Sequence, residues 1–516
     1  MKDITLTTIF MEKYMKNILE FLENNLKKYS NKTAFQDVNN ELSFYELVDA
    51  SKRIGSFLTK LETRNAPIAI YLDKSVKIPA AMFGITYSGN FYVIIDSEMP
   101  VERIKKIFSS LNPVAVITQA EYLENAKQLT DQAFLFSNAI QCDIDNEKLS
   151  IIRQKQIDTD PLYALYTSGS TGVPKGAVLN HRNVIAYINW FNSAFSIDEN
   201  TVFGNQTPFY FSMSVSDIYS TISTAATLVI IPKAYFTFPI KLIDFLNEYQ
   251  INTIYWVPSA LSIVANFKLF DYAVPEHLKK VLFAGEVMPT KQLNYWINNL
   301  DENILYANLF GPTETTDICT YYVVDRKFED DEVLPIGKPC DNCDVMIMNA
   351  DGKPASVGEE GELLVRGSFL SSGYYNNPDK TQAAFIQNPF NKAYPELVYR
   401  TGDLVKENEK GEIIYICRKD YQIKHMGYRI ELGEIETALS AVPQIQESAC
   451  IYDEKNDLII AVYSAKKLKE DDLISQLSSK LNAYLMPNKF IKLSLLPHNQ
   501  NGKIDRKELM RIYAKD

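Results

Sequence analysis

The sequence predicts an α/β fold in two parts, a large N-terminal domain of βα sheets with a small β region and a smaller α/β domain at the C-terminal end. Three observations carry this expectation. Apolar pieces of strand length alternate with amphipathic helical stretches up to about residue 330. From Pro335 the texture changes to short β-type runs separated by Gly, Asn, Asp and Pro. A chain of 516 residues also exceeds one ordinary core, so two or more domains are needed.

Ile18, Leu19, Leu22 and Leu26 recur at helical spacing and predict a helix over 15–29, with a second amphipathic helix over 44–61. Residues 67–71 read as a short buried strand, followed by helix 78–88, strand 91–95, helix 101–111 and strand 114–118. Such alternation favours a mostly parallel, covered sheet. It resumes with strand 227–231, helix 240–249 and strands 253–257 and 280–283. The β region shows runs at 345–348, 362–366 and 411–417. The tail predicts helix 432–440, strands near 447–452 and 458–463, and helix 471–481.

The apolar fraction of 46% and charged fraction of 23% are those of a soluble globular protein. Net charge is −11, with no block of like charge, which argues against nucleic acid as a partner. Residues 1–16 mix Asp3, Glu12 and Lys13 with short apolar pieces and lack the core of a signal peptide. No window approaches the roughly 18 apolar residues of a membrane helix, so a cytoplasmic protein without a membrane partner is expected. The six cysteines and four histidines are scattered. Cys340 and Cys343 form a C-x-x-C without a second pair or a nearby histidine, which reads as thiols rather than a zinc site.

Two stretches carry the chemistry. Residues 165–177, LYTSGSTGVPKGA, place two hydroxyl pairs, glycines and a lysine after an apolar run, as where a strand opens into a loop whose amides face an anion. Phosphate is the expected guest. The spacing is not that of a Walker A loop, since Lys175 follows Pro174 and no Ser or Thr comes next. Residues 308–316, NLFGPTETT, follow an apolar piece, and Gly311-Pro312 forces a turn with Thr313 and Glu314 at its lip. The hydroxyl can reach a phosphate oxygen. The carboxylate can hold Mg²⁺, which takes a few hard oxygens plus the substrate's own phosphates.

In order and kind, these stretches resemble the motifs of the adenylate-forming enzymes, a superfamily that includes nonribosomal peptide synthetase adenylation domains, acyl-coenzyme A synthetases and D-alanine:carrier-protein ligases. The resemblance spans nearly the whole chain. It implies that Thr167, Ser168, Gly169, Ser170, Thr171 and Lys175 close over the ATP phosphates. It further implies that Thr313 binds the α-phosphate, Glu314 holds Mg²⁺, Phe310 stacks on adenine, and Asn308 and Gly311 complete that element. Ala284-Gly285-Glu286 looks like the adenine-edge turn, and Asp403, in Tyr399-Arg400-Thr401-Gly402-Asp403, like the ribose-binding acid. Arg418 would lie near the ribose and phosphates. Asp420 resembles the hinge about which a mobile C-terminal domain rotates, dividing the chain into residues 1–419 and 420–516. Lys503, in Asn501-Gly502-Lys503, resembles the catalytic lysine of adenylation.

The pattern departs at the acyl pocket. Where amino-acid-activating relatives carry an Asp for the substrate's α-ammonium, this chain has Ser212. A buried ammonium facing a neutral hydroxyl would lose several kcal/mol of compensation, which disfavours an ordinary α-amino acid. Matching from the shared anchors places Met213, Ser216, Tyr255, Leu282, Ala284, Leu309, Asp317 and Ile318 around the acyl group. Asp317 then either pairs with an ammonium further from the carboxyl carbon, as in a β- or ω-amino acid, or turns to solvent or its own loop; Asp217 is a weaker candidate for the amine. The resemblance implies a monomer that loads a small carboxylate onto the phosphopantetheine of a separate carrier protein. The alternative is an acyl-coenzyme A ligase for an amine-free acid, or a D-alanine-type ligase.

Overall fold

The computed structural model describes residues 14–167, 174–419, 422–497 and 504–514. The predicted alternation is present, with helix and strand ends within a few residues of those expected. The first helix, Leu19–Tyr29, starts later than the periodicity suggests because Asn17 Oδ1 accepts from the Leu19 amide at 2.9 Å and turns the chain there. The second, Phe44–Leu58, opens on a reciprocal cap. Ser43 Oγ accepts from the Glu46 amide at 3.2 Å, and the Glu46 carboxylate accepts from the Ser43 amide at 2.8 Å.

The strands of the large domain divide between two sheets. A six-stranded sheet has the order Ala133–Leu135, Ala115–Thr118, Pro67–Tyr71, Phe91–Ile94, Pro161–Thr167 and Lys175–Asn180, parallel except for the last hairpin. A nine-stranded sheet holds Val202–Asn205, Thr253–Trp256, Lys280–Ala284 and Leu305–Phe310 side by side in parallel. Both are rich in fully buried strands, so apolar runs alone do not tell which strands pair. A continuous core from Ile18 to Tyr399 joins them.

The β region is antiparallel as expected. Cys343–Met348, Gly361–Gly367 and Leu397–Glu407 pair in turn, and Ile413–Arg418 adds to the last. Beyond it stand the hairpin Gln422–His425/Tyr428–Glu431 and a three-stranded sheet of Ile445–Asp453, Leu458–Ala465 and Lys489–Lys492. This small domain has its own core, between Ile430 and Leu485. No described helix is long and apolar enough to cross a membrane.

Candidate active site

The phosphate-loop motif forms a β-hairpin. Thr167 and Lys175 face each other across it, and Ser168, Gly169, Ser170 and Thr171 lie outside the described residues. Lys175 reaches Tyr374, its Nζ 2.9 Å from the hydroxyl, and Glu314 at 3.4 Å. Glu314 is fully buried. It also accepts from the Tyr374 hydroxyl at 2.5 Å and pairs with Arg429 of the small domain at 2.7 Å. Burial alone would raise the Glu314 carboxyl, but Arg429 and Lys175 together hold it well below the usual carboxylate range. Burial, with Arg429 adding to it, brings the Lys175 ammonium down to about 8.

This cluster fits a divalent ion in one way only. Among the described residues no three His, Cys, Asp or Glu side chains converge as a cage. Glu314 is the carboxylate of this cluster that could take a hard cation, and phosphate oxygens would supply other ligands, as Mg²⁺ favours. Arg429 now occupies that carboxylate, so the ion and Arg429 would compete for it.

The turn carrying Thr313 is shaped by close backbone approach. A Cβ on Gly311 would lie 2.3 Å from the Asp317 carbonyl oxygen, so only glycine fits. Thr313, Ala284, Gly285, Asp403 and Arg418 line one cavity. Asp403 and Arg418 are direct partners in the antiparallel ladder, their side chains 3.1 Å apart. Phe310 is buried beside Tyr415, with the Lys424 ammonium 4.7 Å from its ring centroid. Two of the expected base contacts have other partners. The Asn308 side chain donates to the Pro335 carbonyl at 2.8 Å. Glu286 accepts from the Ser259 amide at 2.8 Å and from the Gly427 amide, tying the small domain's hairpin turn to the large domain. Gly427 has φ +81°, and a Cβ there would meet Val257 at 2.5 Å.

The candidate acyl pocket lies beside the buried helix Met213–Thr224, which follows Ser212. Ser212, Met213, Ala284, Asp317 and Ile318 line the cavity. Leu282 and Leu309 are buried in adjacent strands without lining it, Leu309 facing Ala284 in register. Asp317 does not turn to solvent, being 1% exposed. Its Oδ2 accepts from the hydroxyls of Tyr187 at 3.0 Å, Tyr255 at 3.0 Å and Ser216 at 3.1 Å. Burial pushes its carboxyl up to about 6, against the pull of Tyr255, Tyr187, Ser212 and Ser216. Among the described residues no cation pairs with it. Asp217 is also buried but faces away from the cavity, where Asn205 donates to it at 2.7 Å and burial pushes it up to about 7.

Sequence reasoning missed Tyr187, Tyr374 and Lys424, and gave Arg429 no task. Tyr374 and Arg429 act through Glu314, which is far from both in sequence. Tyr187 carried no signal. It reaches Asp317 because Asn180 and Asn183 cap the helix His181–Ala194 reciprocally and aim it into the pocket. Asp420 and Lys503 lie outside the described residues.

Two family models match the chain, the AMP-binding enzyme over residues 22–375 and the AMP-binding enzyme C-terminal domain over residues 434–503. It is similar to an L-proline--[L-prolyl-carrier protein] ligase of Pseudomonas fluorescens, 32% identical over 96% of this chain and 99% of the relative. It is also similar to a D-alanine--D-alanyl carrier protein ligase of Lacticaseibacillus rhamnosus, 29% identical over 96% of this chain and 98% of that one. Among solved structures, an adenylation domain from Vibrio cholerae in complex with glycyl-adenosine-5'-phosphate superposes with a TM-score of 0.83 at 22% identity, covering 98% of both chains. With both domains matched and full-length relatives of this kind, the chain belongs to the AMP-binding enzymes, the adenylate-forming ligases.

Proposed function

We propose that this protein activates a β- or ω-amino acid with ATP and transfers it to the phosphopantetheine thiol of a separate carrier protein. The observation that carries the reading is the Asp317 carboxylate, buried on the cavity wall with no cation paired to it among the described residues, in a chain that has Ser212 where an acid is expected. Three hydroxyls donate to its Oδ2, and the carboxylate stands on the cavity wall within reach of a substrate ammonium. Such a pair regains the desolvation cost that each charge carries alone. The similar full-length carrier-protein ligases support the second half of the reading, transfer to a carrier.

In the first step the substrate carboxylate attacks the α-phosphorus of ATP and pyrophosphate leaves. Thr313 and Lys175 bind phosphate oxygens, Asp403 the ribose, and Lys503 offsets charge growing on the transferring oxygens. Glu314 would hold Mg²⁺, which would neutralise phosphate charge. In the second step a thiol attacks the acyl carbon and AMP leaves. The family membership supports ATP as the nucleotide.

A second reading has a specific observation in its favour. The Ser212 hydroxyl is close enough to Asp317 to favour its ionised form, so Asp317 also stands near where an α-ammonium would lie. An α-amino acid such as D-alanine is then the substrate. Carboxylate-dependent ATP–pyrophosphate exchange with β-alanine, 4-aminobutyrate, D- and L-alanine, L-proline and benzoate separates the cases. Exchange with β-alanine or 4-aminobutyrate alone supports the main reading. Exchange with an α-amino acid supports the second, and exchange with benzoate alone overturns both and returns the coenzyme A ligase.

Asp317→Asn is expected to raise KM for the amino substrate by at least about tenfold with little change in KM for ATP. The wild-type pH profile follows from the raised carboxyl. An ammonium needs Asp317 ionised, so kcat/KM should fall with decreasing pH through about 6. The slope approaches about tenfold per pH unit, and Asp317→Asn should lack it. A flat wild-type profile between pH 5 and 7 would remove Asp317 from amine binding.

A further inference from the structure

Arg103, on the helix Val101–Leu111 of the large domain, and Glu434, on the helix Leu432–Ser440 of the small domain, form a buried ion pair across the domain boundary. Their side chains are 4% and 3% exposed. The guanidinium meets both carboxylate oxygens, Nη1 in close contact with Oε1 and Nη2 3.4 Å from Oε2, a two-point geometry that fixes orientation as well as distance. Arg103 also bonds Tyr484. Tyr484 stacks on Tyr428 at 3.9 Å, and Tyr428 meets the edge of Phe211 at 4.9 Å. An unbroken set of contacts thus runs from the pair to the hairpin whose Gly427, Arg429 and Lys424 reach Glu286, Glu314 and Phe310.

We infer that Arg103 and Glu434 are positioning residues for the second half-reaction, registering the small domain in the arrangement that closes the site with the 422–431 hairpin. The inference rests on the two-step reading proposed above. Its physical reason lies in what each charge becomes when the domains part. Each belongs to a domain with its own core, so on separation both groups hydrate while each core stays packed. Removing one partner therefore leaves an uncompensated buried charge in this arrangement only. The resemblance implies a small domain that turns about its hinge between the two half-reactions, so the first, run in another orientation, does not use the pair.

The test uses the full chain with Glu434→Gln, Arg103→Met and the double variant Arg103→Met/Glu434→Met. Three quantities are read: ATP–pyrophosphate exchange, discharge of the enzyme-bound adenylate to pantetheine as probe thiol, and tryptic cleavage after Lys424 and Arg429. Each single variant should keep exchange within about twofold, slow discharge about tenfold or more, and speed cleavage by a similar factor. The double variant should recover most of both losses, because a buried pair replaced by apolar groups leaves no unpaired charge. Equal loss of exchange and discharge, wild-type behaviour of the single variants, or losses that add in the double variant would each overturn the assignment. If no carboxylate supports exchange in the wild type, the proposed function fails, while the cleavage pattern still decides whether the pair docks the domain.

Discussion

Glu314→Gln is expected to lower ATP–pyrophosphate exchange about a hundred- to a thousandfold. The substitution keeps the shape and removes the charge on which Lys175, Arg429 and the Tyr374 hydroxyl converge. The two buried cations then lose the carboxylate they share, and a metal loses the same ligand. A stability loss of about 3–5 kcal/mol should accompany the kinetic one, measured by chemical denaturation. The pH sign supports reading this at neutral pH. The folded carboxyl is depressed below its ordinary value of 4.5, so its stabilising contribution is fully present above that value and is lost only in stronger acid. Exchange within about tenfold of wild type would remove Glu314 from the reaction.

Lys503→Ala should abolish detectable adenylate formation, a loss of at least about a hundred- to a thousandfold, while ATP binding measured by calorimetry stays near wild type. The expectation rests on the Asn-Gly-Lys motif and on the chemistry of the step, in which a positioned ammonium offsets charge on the transferring oxygens. Discharge of a chemically prepared adenylate to a thiol should survive the substitution. Among the described residues, Gln422, Lys424, Gly427, Tyr428, Arg429 and Tyr484 are what the small domain presents to the cavity. Loss of both half-reactions together would assign Lys503 to holding the small domain's fold rather than to one chemical step. Near-normal exchange would defeat the catalytic role.

Local physical chemistry made much of the molecule readable in advance. Period-3.6 and apolar-run patterns located most of the helices and strands named from sequence, since each depends on neighbours a few residues away. The Thr313 turn, the Asp403 element and the Lys175 hairpin were legible for the same reason, because Gly and Pro set a turn and the adjacent side chains stand at its lip. With the motif order, these determined the fold class and the AMP-binding family.

What the sequence left open lies in contacts between residues far apart along the chain. Asp317 meets Tyr187, Ser216 and Tyr255 across separations of 130, 101 and 62 residues. Only the packing of the capped helix and two strands against the 213–224 helix made Asp317 a buried pocket carboxylate instead of a loop charge. Arg429 and Glu314, 115 residues apart, and Arg103 and Glu434, 331 apart, are joined solely by the way one domain rests on the other. Strand pairing between two sheets was undetermined for a like reason, since fully buried strands carry the same apolar run wherever they pair. Turn chemistry and periodicity are written in neighbouring residues, so the sequence by itself determined them. Whether a charge is buried and which partner neutralises it depend on the solvent that folding excludes, and that only the tertiary structure decided.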